Sequence, residues 1–175
     1  MEKMRMDCAM KEQYSDMLYL NGMLFNIWQL PLETYLYGWG WGLTKYSTPD
    51  CERGYVAVWT LIDGRLYLIA VFPANRLHNV LPPIENGKKL MNSIFPHNSF
   101  IPAMWYTGNL TIHNANRCKA LGYGRMENRD MQLYLYRGVV TSGNARVSVY
   151  GDEDYRYYLS FVDVKHHIDG KLRFV

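Results

Sequence analysis

The sequence predicts a mainly β fold of the β-rich α+β kind: a strongly curved antiparallel sheet, or a partly closed barrel or sandwich, with one main helix. Three observations carry that expectation. In residues 53–72, two runs of β-branched and aromatic residues flank Asp63-Gly64, a dipeptide that readily adopts the positive φ angles of a two-residue hairpin turn. The same arrangement occurs earlier, where Met17–Leu20 and Met23–Trp28 flank Asn21-Gly22. Aromatic residues make up 15% of the chain, with 15 Tyr and 5 Trp, and most Tyr sit in strand-like runs where one end can be apolar and the other wet.

Taken in order, residues 1–13 read as a polar leader, and the Asn21-Gly22 hairpin follows. Pro31–Tyr37 begins a short helix, with Pro31 at its first position and Glu33 near its positive end. Gly38-Trp39-Gly40-Trp41-Gly42 breaks that helix, and Thr48-Pro49-Asp50 leads into the central hairpin. Pro73, Pro82 and Pro83 then mark a loop. Ile84–Phe95 has the best helical spacing, with Leu90, Met91, Ile94 and Phe95 on one face, although Gly87 costs it about 1 kcal/mol relative to Ala. Met104–His113 reads as a strand bent at Gly108, Asn116–Leu121 as a helical turn, and Met131–Thr141 as one strand. Arg146–Tyr150 and Tyr155–Val164 are strands on either side of the acidic turn Gly151–Asp154, and Lys171–Val175 is a last strand. Residues 1–175 fit one domain, which at this length buries roughly 70% of its unfolded surface.

Charge and cysteines restrict the function. The formal charge is +3, and no window holds more than two adjacent cations, so nucleic acid is not favoured as a partner. Lys88-Lys89, Arg117 and Lys119 read as ordinary solvated positions. Cys8, Cys51 and Cys118 are far apart and form no CxxC, which argues against a disulfide framework or a zinc knuckle. Charges interrupt every apolar run near the N-terminus, giving neither signal peptide nor membrane anchor. The expectation is a cytoplasmic protein with free thiols, no metal, no cofactor and no membrane association.

Candidate binding residues are few. Trp39 and Trp41 lie two apart, so an extended chain would turn both indoles to one side, either as a plug or as an apolar platform. Glu33, Glu52, Arg53 and Arg65 could hold buried or partly buried ion pairs; Arg53 leads into a strand and would emerge at the sheet's end, where it either fixes a loop or marks a pocket mouth. Trp105 and Tyr106 complete the set. Among possible chemists, Cys51 beside Arg53 is the best nucleophile by sequence, since a nearby cation lowers a thiol's pKa. His166-His167 would point to opposite faces of a strand and could not readily chelate one ion. Asp152, Glu153 and Asp154 lack the remaining positions of a calcium loop.

Three segments together resemble a pattern found in uncharacterised bacterial proteins: RGYVAVWTLIDGRLYL at 53–68, AMWYTGNLTI at 103–112 and GYGRMENRDMQLYLYRGVV at 122–140. The first is similar to RGYVAxWxIxDGxLYL. The likeness covers most of the region from residue 16 to 140 and implies a soluble bacterial β-rich domain. That family has no established activity, so the resemblance transfers no site. The leading expectation is a non-enzymatic binding protein acting through a protein partner, of which immunity, antitoxin and counter-defence proteins are forms. One alternative is a small-ligand-binding β-barrel lined by Trp39, Trp41, Trp59 or Trp105. The other is an enzyme whose site gathers Cys51, His113, Asp130 or His166 from distant strands.

Overall fold

The computed structural model describes residues 13–20, 23–38, 42–78, 81–113, 125–126, 131–143, 146–150 and 156–160. In chain order the regular elements are β1 (Asp16–Leu20), β2 (Met23–Ile27), α1 (Pro31–Gly38), β3 (Tyr55–Ile62), β4 (Arg65–Pro73), α2 (Lys88–Ile94) and β5 (Ile101–Pro102). They continue with β6 (Gly108–His113), β7 (Arg125–Met126), β8 (Met131–Tyr136), β9 (Val139–Gly143), β10 (Arg146–Tyr150) and β11 (Arg156–Ser160). Short 3-10 turns occupy Thr44–Tyr46, Ala74–Arg76 and Ile84–Gly87. The fold is mainly β.

Seven strands form a closed ring in the order β3–β1–β2–β6–β8–β9–β4, with β4 pairing back to β3 and β5 attached outside the ring to β4. A second sheet contains β11, β10 and β7. Strands that are all antiparallel can close a ring only in even number. With seven, at least one pair must run parallel, and here that seam is β1–β3. The long connection that a parallel pair requires is provided by β2, α1 and the chain up to residue 54.

The seam is fixed at both ends by side chains. Asp16 stands one step ahead of the Met17↔Val58 register pair, and its carboxylate accepts from the Ala57 N–H at 3.0 Å. At the other end the Thr60 hydroxyl donates to the Tyr19 carbonyl at 2.8 Å. A one-residue slip would break both bonds and turn every inward side chain outward.

Alternation then fills the barrel. Leu18 and Leu20, Phe25 and Ile27, Ala57, Trp59 and Leu61, and Leu110 and Ile112 point inward and are fully buried. On β4, Leu66 and Leu68 point inward, but the next inward residue is Val71. The pairing jumps from Val58↔Ala70 to Trp59↔Leu68, so Ile69 is the extra residue of a bulge that resets the period. Leu32 and Leu36 of α1 and Met91 and Ile94 of α2 join the same interior cluster. A second apolar layer, including Val56, Val58, Ala70 and Phe72, covers the outside of β3 and β4 and packs under Leu81 and Ile84.

Several expectations change. The sheet closes fully instead of partly. The segment 131–141 is a hairpin, β8 and β9, because Arg137 (φ 49°) and Gly138 (φ 78°) make a two-residue turn. That turn lies beside Asp63-Gly64, and the Leu66 N–H bonds the Gly138 carbonyl while the Val140 N–H bonds the Gly64 carbonyl, each at 2.8 Å. The two turns thereby close the ring. The expected helix over 84–95 divides into a 3-10 turn and the short α2, and 103–107 is a turn instead of strand. Gly87 has a packing reason: a Cβ there would lie 2.6 Å from the Ala70 Cβ and 3.0 Å from the Phe72 ring. The leader up to residue 12, Asn21-Gly22, and the segments 116–121, 151–155 and 161–175 lie outside the described residues.

Candidate functional site

The strongest polar cluster is buried at the entry of the parallel seam. Asp16 Oδ1 accepts from Arg53 Nη2 at 2.9 Å as well as from Ala57, and Oδ2 accepts from the Trp59 indole Nε1 at 3.2 Å. Arg53 also donates from Nη1 to the Tyr14 carbonyl at 2.6 Å. Burial pushes the Asp16 carboxyl above its ordinary value, while Arg53, the Ala57 N–H and the Trp59 indole pull it back. Burial acts most strongly against the Arg53 charge, but Asp16 together with Cys51 and Tyr55 outweighs it, and Arg53 stays cationic. With its side chain only 11% exposed, Arg53 ties β1 to the loop before β3 and is turned away from solvent. Its acidic partner is Asp16, not Glu33 or Glu52.

Around this pair the remaining groups are locked away from solvent. The buried Cys51 thiol donates to the Tyr55 carbonyl at 3.2 Å. Burial raises its pKa more than Arg53 lowers it, so the cation beside Cys51 does not produce a thiolate nucleophile. Tyr55 points into the barrel with its hydroxyl unpartnered, and burial drives the phenol far above its ordinary range.

Trp105 holds the barrel's helical cover, and Tyr106 ties the turn before β6 to the Arg137-Gly138 turn. Trp105 stacks on Phe95 (5.9 Å, 11°), contacts Tyr35 at 4.7 Å, meets Trp59 edge-on at 6.4 Å and donates its indole N–H to the Pro31 carbonyl at 2.8 Å. It therefore joins α1, the end of α2 and β3. The Tyr106 hydroxyl bonds the Asn109 carbonyl, and its own carbonyl accepts from Gly138 at 2.8 Å. Trp39 and Trp41 lie outside the described residues, as do Asp130 and His166.

A concavity lies on the outside of the barrel among the described residues. A groove of about 650 Å³ runs between the end of β4, the 3-10 turn Ala74–Arg76, the proline-rich segment before α2, and α2 itself. Phe72, Pro73, Pro82, Leu90 and Tyr46 give it an apolar lining. Arg76 and Lys89 line it from different elements, together with Glu85 and Asn86. Lys45 adds a third cation, its Nζ 5.1 Å above the Tyr46 ring. Among the described residues none of Lys45, Arg76 and Lys89 forms an ion pair; the Arg53–Asp16 bridge is the pair that is formed. The groove is half open, so an occupant would keep one side in solvent.

Beyond the groove, large exposed apolar side chains include Trp28, Tyr37 and Phe100, with Tyr134 and Tyr136 sharing the outer face of β8. No group of three or more metal-ligating side chains lies together among the described residues. Among them, too, no helix is long and apolar enough to cross a membrane.

The sequence reading missed both Asp16 and the groove. Asp16 had one available signal, a lone carboxylate at the head of an otherwise apolar strand. The groove had none, because Phe72, Arg76 and Lys89 meet only when the proline-rich segment folds back over β4. Comparison of the chain with protein-family models, with curated proteins and with solved structures finds no match.

Proposed function

We propose that this protein is a non-enzymatic binding module that acts through a protein partner, with the groove between β4 and α2 as its contact surface. One observation carries the reading: side chains occupy the barrel interior, whereas the external groove joins an apolar lining to Arg76 and Lys89, which form no ion pair among the described residues. Interfaces depend on apolar anchors surrounded by polar rims, and the groove supplies both. Immunity, antitoxin and counter-defence proteins belong to this functional class.

The second reading, a ligand held inside the barrel, loses support from the packing: Trp59, Phe25, Leu61 and Leu110 fill that space. The test of the first is affinity capture from cells that natively express the chain, followed by size-exclusion chromatography of the purified pair. A stable co-eluting complex is expected. If the chain elutes alone beside every captured candidate, the reading fails.

A further inference from the structure

We infer that the groove receives a short extended segment of the partner, bearing an aliphatic or aromatic side chain flanked by carboxylates. This rests on the protein-partner reading and specifies its chemistry.

The charge balance comes first. The lining holds two cations, Arg76 and Lys89, against one carboxylate, Glu85. Arg76 and Lys89 reach the groove from different elements, the turn after β4 and α2, so an occupant meets a cation from each. Acidic groups are attracted there, and basic ones repelled. The apolar part follows from the floor: Phe72 and Leu90 with Pro73 and Pro82 offer an anchor pocket, and prolines present no N–H that an apolar side chain would have to desolvate. The exposed Asn86 amide makes no side-chain hydrogen bond among the described residues, leaving a donor and an acceptor for a peptide group.

Other occupants fit less well. Small-molecule sites bury roughly 70–90% of the ligand, and a half-open groove does not. A nucleic-acid strand needs a row of cations with stacking faces, but of the two rings in the lining Lys45 already lies over Tyr46 and Phe72 is buried. A strand of peptide, with one face in the groove and the other joined to its own protein, suits the open side.

The test is selection from a display library of random short peptides against the full chain, with binding of recovered peptides measured by fluorescence anisotropy. Enriched peptides are expected to carry Asp or Glu on both sides of a Leu, Ile, Phe or Trp. Arg76→Glu/Lys89→Glu should weaken them about tenfold or more, and added salt should weaken them as well. Thermal unfolding of the variant should match the parent, since both side chains are exposed. Enrichment of basic or uncharged peptides, no enrichment, or equal affinity for the charge-reversed chain would each overturn the inference. If the native partner binds the charge-reversed chain undiminished, the groove's chemistry is wrong while the protein-binding reading survives. If no protein binds the parent chain, that reading falls too.

Discussion

Two arginines on either side of β3 and β4 make the instructive comparison. Arg53 is packed against Asp16, donates to the Tyr14 carbonyl and lies almost wholly inside. Arg76, just past the end of β4, stands exposed at the groove and forms no ion pair among the described residues. The side chains are identical, and what separates them is whether the chain supplies a counter-charge. A buried charge must be compensated by its own fold, so its removal is felt as stability. An exposed, uncompensated charge costs the fold little and is available to a partner.

The sharpest way to break this contrast is Asp16→Ala, which leaves Arg53 buried and unpaired and the Ala57 N–H without its acceptor. The expected loss is about 3–5 kcal/mol in urea unfolding. Arg53→Met should cost a similar amount, and the double variant far less than the sum of the two. A small effect of Arg53→Met would mean that Arg53 is free for a ligand after all.

Next in size is Gly87→Ala. Helix propensity alone would make it stabilising, yet the added methyl collides with Ala70 and the Phe72 ring. A loss of about 1–3 kcal/mol is expected, together with weaker partner binding, because Phe72 is also groove floor. A gain in melting temperature would show that the close approach is not there.

A smaller effect is expected at Tyr55, whose buried hydroxyl has no partner. Tyr55→Phe should be neutral or stabilising by up to about 1 kcal/mol, in place of the usual loss. The pH dependence follows. Tyr55 and Cys51 are both raised by burial above their ordinary values of 10.0 and 9.0. The unfolded chain therefore releases these protons first as pH rises. Their contribution is intact below pH 9.0 and is lost progressively above it, so unfolding should become easier in alkali. In Tyr55→Phe the decline above pH 10.0 should be shallower; an unchanged profile would contradict the assignment. The smallest expected change is the stability of Arg76→Glu/Lys89→Glu, within about 0.5 kcal/mol of the parent by the same urea measurement.

Much of the fold was legible because sheet signals are local. Asp63-Gly64 and the alternating apolar runs of β3 and β4 mark the central hairpin directly, and Pro31 marks the start of α1. Arg137-Gly138 was not recognised because Arg is an uncommon residue at a positive φ, and the chain through it reads as continuous strand. Closure of the ring was not legible either, since it depends on two remote turns meeting. The candidate site was least visible of all. Arg53 was singled out as a polar residue of consequence, but its partner lies 37 positions earlier in the chain. Lys89 looked like any solvated lysine until the groove gave it neighbours.

The central claim is that the contact surface is the groove and not another part of the exterior. Its most direct test is a photo-crosslinking residue placed at Asn86, in the groove, or at Tyr134, on the outer face of β8, with the purified partner. The account predicts a crosslink from position 86 that Arg76→Glu/Lys89→Glu abolishes, and none from position 134. Crosslinking from position 134 with none from 86 would contradict it.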